Sequence, residues 1–309
     1  MGALKGKDIV SALDFRREDV EELFKLADRL REEMKDEGVL SYGKGKVLAT
    51  VFLEPSTRTR LSFTYAMIRL GGTVIDFGPE AASSRAKGES LEDTMLMVDG
   101  YGPDVIVLRQ RTPGFAAKAA EICKAPVINA GDGWNEHPTQ ALLDVYTIWR
   151  ELGRVDGIKV GIMGDLKYGR TPSSLSYLLS KFNNVTIYYI APDPLQIRDE
   201  VVEKVKGKVR YYKVGRPDEV IEELDVLYVT RLQKERFPSP EEYERLKGSY
   251  RIDRDFLMRF KHIPIILHPL PRIWELDTSV DALPQAKYFE QARNGMYVRA
   301  ALLKEVLGV

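Results

Sequence analysis

The stretch Val47-Leu48-Ala49-Thr50-Val51-Phe52-Leu53-Glu54-Pro55-Ser56-Thr57-Arg58-Thr59-Arg60-Leu61 changes character twice. Val47–Phe52 is a short apolar run rich in β-branched residues and reads as a buried strand. Glu54-Pro55 interrupts it, and the hydroxyl and arginine residues that follow open a helix, for which Leu61, Tyr65 and Ile68 recur at the spacing of a buried face. Strand, loop and helix in that order form one unit of an α/β fold.

Working outward, Thr73–Phe77, 105–108 and 127–129 repeat the signal and are likewise expected to be buried strands that end at polar or Gly/Pro residues. The grammar restarts at Lys159–Met163, 185–190, Val226–Val229 and Ile265–Leu267. Runs of this kind alternating with helical stretches predict parallel sheets with crossover helices. A chain of 309 residues also exceeds what one core supports. The expected fold class is therefore α/β with two domains, each a parallel β-sheet flanked by helices, and the active site in the cleft between them.

An N-terminal helix is signalled by Val20, Leu23, Phe24, Ala27 and Leu30. A linking helix is expected over 138–153, where Leu142, Leu143, Tyr146 and Trp149 share a face and Gly153 suits a stop. A last helix over 296–307 is expected to return to the first domain. The predicted boundaries are 1–137 plus 294–309 for one domain and 138–293 for the other.

Composition excludes several classes of function. With 46 basic and 46 acidic residues, the chain has no net field to steer it to nucleic acid or an anionic membrane. Cys123 is the single cysteine, and His137, His262 and His268 are the only histidines, so neither a disulfide nor a Cys/His metal site of the usual spacing is expected. No apolar stretch approaches the ~18 residues of a membrane helix and no signal-like segment opens the chain, which predicts a cytoplasmic protein.

In open α/β sheets ligands bind beyond the carboxyl ends of the strands. Those positions here hold Ser56 to Arg60, Arg109, His137, Arg170, Arg231 and His268. Free N–H groups at a helix start, the helix dipole and nearby hydroxyls together favour a phosphate in front of Ser56-Thr57-Arg58-Thr59. Arg58 and Arg60 lie about 200° apart around a helix, so one ligand cannot face both. Arg58 is assigned to the ligand; the bland alternative is an ordinary N-cap with surface arginines. Gly161-Ile162-Met163-Gly164 lacks the Gly-x-Gly-x-x-Gly spacing, so no nicotinamide cofactor is expected, and no other cofactor is expected either. Arg170 opens a further helix, with a solvated arginine as the alternative. His137 stands at the predicted domain junction, while His262 is read as a structural histidine at a strand start.

Several motifs in this order resemble the aspartate/ornithine carbamoyltransferase family over nearly the whole chain: Glu54 to Arg60, Lys87-Gly88-Glu89, Asn129 to Gly133, His137-Pro138-Thr139-Gln140, Gly164 to Arg170, Thr230 to Arg236 and His268 to Arg272. Arg231-Leu232-Gln233 and His268-Pro269-Leu270-Pro271 resemble its aspartate branch; ornithine enzymes usually carry a cysteine where Pro269 stands. The resemblance implies that the α-amine of L-aspartate attacks carbamoyl phosphate to give N-carbamoyl-L-aspartate and phosphate, the committed step of de novo pyrimidine biosynthesis. It implies phosphate contacts from Ser56, Thr57, Arg58, Thr59 and Arg109, and donors to the carbonyl oxygen from Thr59, Arg109 and His137. Gln140 and the backbone carbonyls of Leu270 and Pro271 are implied to orient the carbamoyl amide, and Arg170, Arg231 and Gln233 to clamp aspartate. It further implies a homotrimer in which Ser83 and Lys87 reach a neighbouring subunit's site, and interdomain ion pairs of Glu54, Arg236 and Glu242. A separate zinc-bearing regulatory chain is admitted as a partner. The alternatives are a carbamoyltransferase for ornithine or a related amino acid, and a non-catalytic anion-binding paralogue.

Overall fold

A computed structural model describes residues 3–78, 88–233, 239–247 and 251–309. Helix α1 (Arg17–Glu37) buries Val20, Leu23, Phe24, Ala27 and Leu30, the stripe visible in the sequence. Its first turn holds Glu18 and Asp19, which suit the positive end of the helix dipole. The chain divides into two units, Met1–Leu142 with Arg293–Val309, and Leu143–Ala292.

In the first unit, β1 (Val47–Phe52), α2 (Thr57–Arg69), β2 (Thr73–Phe77), α3 (Leu91–Gly100), β3 (Val105–Gln110), α4 (Phe115–Ile122) and β4 (Val127–Asp132) follow one another. The strands are parallel, in the order β2-β1-β3-β4 among the described residues. Ala49, Val51, Ile106, Leu108 and Val127 of the sheet bury against Met95 and Val98 of α3 and Phe115 and Ala119 of α4. Each large side chain buried in this way contributes about 1.5–3 kcal/mol. Truncating Ile106 to alanine removes two buried methyl groups and a methylene and should cost about 2–5 kcal/mol.

Two expectations fail in this unit. Leu61, Tyr65 and Ile68 are 61%, 49% and 45% exposed, whereas α2 buries Thr59, Phe63, Ala66 and Met67. Both sets recur at helical spacing, so periodicity alone did not choose between them; the helix turns the set containing Phe63 and Met67 inward. Strand β2 is expected to be buried but is an edge strand with mostly exposed side chains, Ile75 among them.

The second unit holds β5 (Lys159–Met163), α6 (Arg170–Leu179), β6 (Thr186–Ile190), α7 (Asp199–Val205), β7 (Arg210–Val214), β8 (Val226–Val229), α8 (Pro240–Leu246), α9 (Arg254–Leu257) and β9 (Ile265–Leu267). Its parallel sheet runs β7-β6-β5-β8-β9 among the described residues. Met163, Ile190, Leu227, Val229 and Ile266 fill one buried cluster with Ile252, Leu257 and Tyr288. The edge strand β7 has no counterpart in the sequence reading, because Arg210-Tyr-Tyr-Lys-Val contains no apolar run and three of its side chains are exposed. Helix α5 (Pro138–Leu152) ends at Gly153, whose φ of 70° and N–H bond to the Trp149 carbonyl (2.8 Å) make the predicted stop. Helix α10 (Tyr288–Leu307) begins before the predicted 296, since its first turns carry Gln291, Asn294 and Gly295 rather than an apolar stripe. Both helices run across the boundaries between the units.

Candidate active site

In the first unit the carboxyl ends of β1, β3 and β4 gather the predicted residues. Ser56 is the N-cap of α2, yet its side chain makes no capping hydrogen bond and the first turn contains no acidic residue. An ordinary N-cap would engage that hydroxyl with a backbone N–H of the first turn. Arg60 turns to β2 and forms a two-pronged ion pair with Asp76, its Nε 2.9 Å from Oδ1. Asp76 in turn accepts from Thr50 (2.6 Å). Arg58 is exposed at the helix start.

Thr59 is buried, and its Oγ1 lies 3.4 Å from His137 Nε2. The other ring nitrogen, Nδ1, lies 3.4 Å from Thr139 Oγ1. His137 is delivered by a turn whose hub is Asp132. The Asp132 carboxylate accepts from Asn129 Nδ2 (3.0 Å), Glu136 N–H (3.0 Å), Gly114 N–H (2.9 Å) and Asn135 Nδ2 (3.0 Å). Glu136 then anchors the N-terminal segment by accepting from Ser11 Oγ (2.5 Å) and Ala12 N–H (2.9 Å). A buried carboxylate satisfied by several donors holds a loop in one conformation. Gln140, also buried, follows one turn later on α5.

Arg109 is the penultimate residue of β3 and pairs in register with Phe52. Its guanidinium reaches Glu54 Oε1 (2.9 Å) and the Ala130 carbonyl (3.2 Å). Glu54, expected to make an interdomain ion pair, is thus engaged with Arg109 in this structure. An anion that approaches Arg109 meets a carboxylate already there.

In the second unit Arg170 is the first residue of α6 and is buried, contrary to the solvated alternative. The loop before it is tied to the loop after β8 by one side chain. Buried Asp165 accepts from Tyr168 N–H (2.8 Å) and from Gln233 N–H (3.1 Å). Sequence reading gave Asp165 no role, although its place directly after Gly164 at a strand end was visible. Gly164 makes the approach feasible: its φ is 126°, and a Cβ there would lie 2.2 Å from the Thr230 carbonyl. Arg170 and Arg231 are therefore presented by loops that share a carboxylate. Arg198 adds a further brace, donating to the Lys167 carbonyl (2.7 Å) and to Ser173 Oγ (3.0 Å).

The turn after β9 contains Leu270, at φ 57°, and a cis Leu270–Pro271 bond. His268 at its head is buried and contacts Glu275. His262 does not start a strand; its Nε2 lies 2.9 Å from the Leu224 carbonyl, a satisfied structural histidine. Cys123 is half-buried, and burial together with Asp99 and Asp8 pushes its thiol up to about 11. Ser83, Lys87 and Arg236 lie outside the described residues, and no group of three or more potential metal-ligating side chains occurs among those described.

Comparison with known proteins covers the whole chain. The carbamoyl-P binding domain of aspartate/ornithine carbamoyltransferase matches residues 7–150, and the Asp/Orn binding domain of the same family matches 156–306. The aspartate carbamoyltransferase catalytic subunit of Methanocaldococcus jannaschii is 51% identical over 97% of this chain and 98% of its own length. That of Thermofilum pendens is 53% identical over 98% and 95%. A crystal structure of aspartate transcarbamoylase from Trypanosoma cruzi in complex with carbamoyl phosphate and aspartate superposes with a TM-score of 0.94 at 42% identity, covering 99% of this chain and 98% of that one. On matches of this length and identity, the chain belongs to the aspartate/ornithine carbamoyltransferase family.

Proposed function

We propose that the protein transfers the carbamoyl group of carbamoyl phosphate to the α-amine of L-aspartate, releasing N-carbamoyl-L-aspartate and phosphate. The observation that carries the choice of aspartate is the pair of loops joined through Asp165, which present Arg170 and Arg231 together. A dicarboxylate calls for such cations, and arginine offers it a two-pronged fork. A cationic side chain such as that of ornithine calls for the opposite charge. Relatives about half identical along the full chain carry the aspartate name as well.

In this reading Ser56, Thr57, Arg58, Thr59 and Arg109 receive the phosphate, with Arg109 exchanging Glu54 for the ligand. The amine lone pair forms the new C–N bond, and the carbonyl oxygen gains charge as the carbon becomes tetrahedral. Thr59, Arg109 and His137 donate to that oxygen, and they act more strongly in the transition state than on the ground-state carbonyl. The C–O bond to phosphorus then breaks, and phosphate leaves with the bonding pair and takes up the amine proton. Gln140 and the carbonyls of Leu270 and Pro271 hold the carbamoyl amide, and Arg170, Arg231 and Gln233 hold aspartate.

The proposal extends to a cytoplasmic homotrimer in pyrimidine biosynthesis, with Ser83 and Lys87 supplied to a neighbouring site. Support comes from the apolar exposed side chains Leu61, Tyr65, Ile68 and Ile75 on α2 and β2, the elements that flank the phosphate grip. The relatives' name, catalytic subunit, fits a regulatory chain as a further partner. Purified protein offered both amino acids should carbamoylate aspartate; faster carbamoylation of ornithine would refute the assignment. Mixing inactive Lys87→Ala and Arg58→Ala proteins should restore part of the activity if sites are shared. Verified mixed trimers without activity would count against sharing.

A further inference from the structure

The turn His268 to Arg272 is held from inside by a chain of buried polar groups that the reaction scheme does not use. The His268 and Glu275 side chains are 0% and 1% exposed, and Nε2 lies 2.9 Å from Glu275 Oε1. On the other side of the ring, Leu270 N–H points at Nδ1 at 2.8 Å. A backbone N–H can only donate, so Nδ1 must accept, and the ring proton therefore sits on Nε2 and is given to Glu275. Glu275 also accepts from Ile273 N–H (3.1 Å) and so closes the turn from its far end. Burial pushes the Glu275 carboxyl up, but the hydrogen bond from His268 and the backbone donors outweigh this and hold the group below the usual carboxylate range.

The histidine is itself anchored. Its N–H donates to Gln291 Oε1 (2.8 Å), and Gln291 Nε2 donates to Asp144 Oδ1 (2.6 Å). Gln291 and Asp144 are buried and lie on α10 and α5. The conformation needing this support is Leu270, whose φ of 57° is one that a branched apolar residue rarely adopts. Strained backbone of this kind persists when its surroundings over-determine it.

The geometry points to His268 as a positioning residue: its Nδ1, by accepting the Leu270 N–H, aims the carbonyls of Leu270 and Pro271 and so sets the site's preference for an amide on the transferred acyl group. This rests on the proposed role of those two carbonyls. His268 itself touches no substrate. Selectivity follows because carbonyl oxygens reward an NH₂ group and give nothing to a methyl group of the same size.

The test compares carbamoyl phosphate with acetyl phosphate, its isostere with methyl in place of the amide, by binding to the full-length native assembly. Inhibition by inorganic phosphate serves as a control that does not involve the acyl group. Wild-type protein should prefer carbamoyl phosphate by about 10- to 100-fold. His268→Gln, which can reach Glu275 but leaves Leu270 N–H without its acceptor, should bring that ratio close to one with phosphate inhibition unchanged. His268→Asn places its amide oxygen near the Nδ1 position and should keep most of the preference. A wild-type ratio in folded His268→Gln overturns the inference while leaving the roles of Leu270 and Pro271 intact. Absence of any preference in the wild type overturns those roles, and the inference with them. Should His268→Gln fail to fold, Gln291→Met, which removes the acceptor for His268 N–H, carries the same expectation, and an unchanged ratio there is equally fatal.

Discussion

The two units use internal carboxylates in opposite ways. In the first, Glu54 sits on the guanidinium of Arg109, so the cation meets a competitor before it meets a ligand. In the second, Asp165 accepts from the N–H groups of Tyr168 and Gln233, and what it organises is the approach of two arginine-bearing loops. One carboxylate competes for the site; the other builds it. On the proposed assignment of these residues, the difference teaches that ligand affinity in the first unit is set by exchange, and in the second by preorganisation.

Variants can break or sharpen that contrast. The largest effect is expected at Arg58, exposed at the start of α2: Arg58→Ala should lower turnover by about 10²–10³-fold with an unchanged melting temperature, since one donor to a developing charge is worth that much. Near-normal turnover would remove Arg58 from the grip. Asp165→Ala comes next. It leaves two backbone N–H groups without their acceptor at a buried position, at a cost of about 1–3 kcal/mol each. Denaturant unfolding should show that loss, and the KM for aspartate should rise well beyond that for carbamoyl phosphate. Equal effects on both would mean that Asp165 does not build the second unit's half alone.

Glu54→Gln should move binding the other way. Without the competing charge, inorganic phosphate should bind a fewfold more tightly by calorimetry, a modest gain because the pair is partly solvated. Weaker binding would show instead that Glu54 holds Arg109 ready. The smallest effect concerns Cys123. With its thiol raised to about 11, the thiolate is scarce at pH 8 and grows only as pH approaches that value. Alkylation should thus be slow at pH 8, accelerate with rising pH, and leave activity in place; rapid inactivation at pH 8 would bring the cysteine into one of the two halves.

Most of the fold was legible because buried parallel strands must be apolar runs, as at Val47–Phe52 and Val226–Val229. What escaped reading lies at the sheet edges and on the helix surfaces. β7 sets two adjacent tyrosines between an arginine and a lysine, and the outward face of α2 mimics an inward one with Leu61, Tyr65 and Ile68. The candidate residues at strand ends could be picked out singly, since arginine and histidine stand out there. Their supports could not. Asp132, Asp165, Glu275 and Gln291 act through backbone N–H groups and side chains up to more than a hundred residues away, as in the bond from Gln291 to Asp144, and no local pattern announces such a partner.

The division of the chain also bears on the order in which it folds. The first unit is completed by Arg293–Val309, and Gly6 N–H reaches the Val306 carbonyl at 2.9 Å. During synthesis the ribosome therefore delivers every strand of both sheets before the segment that closes the first unit. The inserted unit can mature while its host is still open, and Gly6, among the earliest residues made, waits for Val306, among the last.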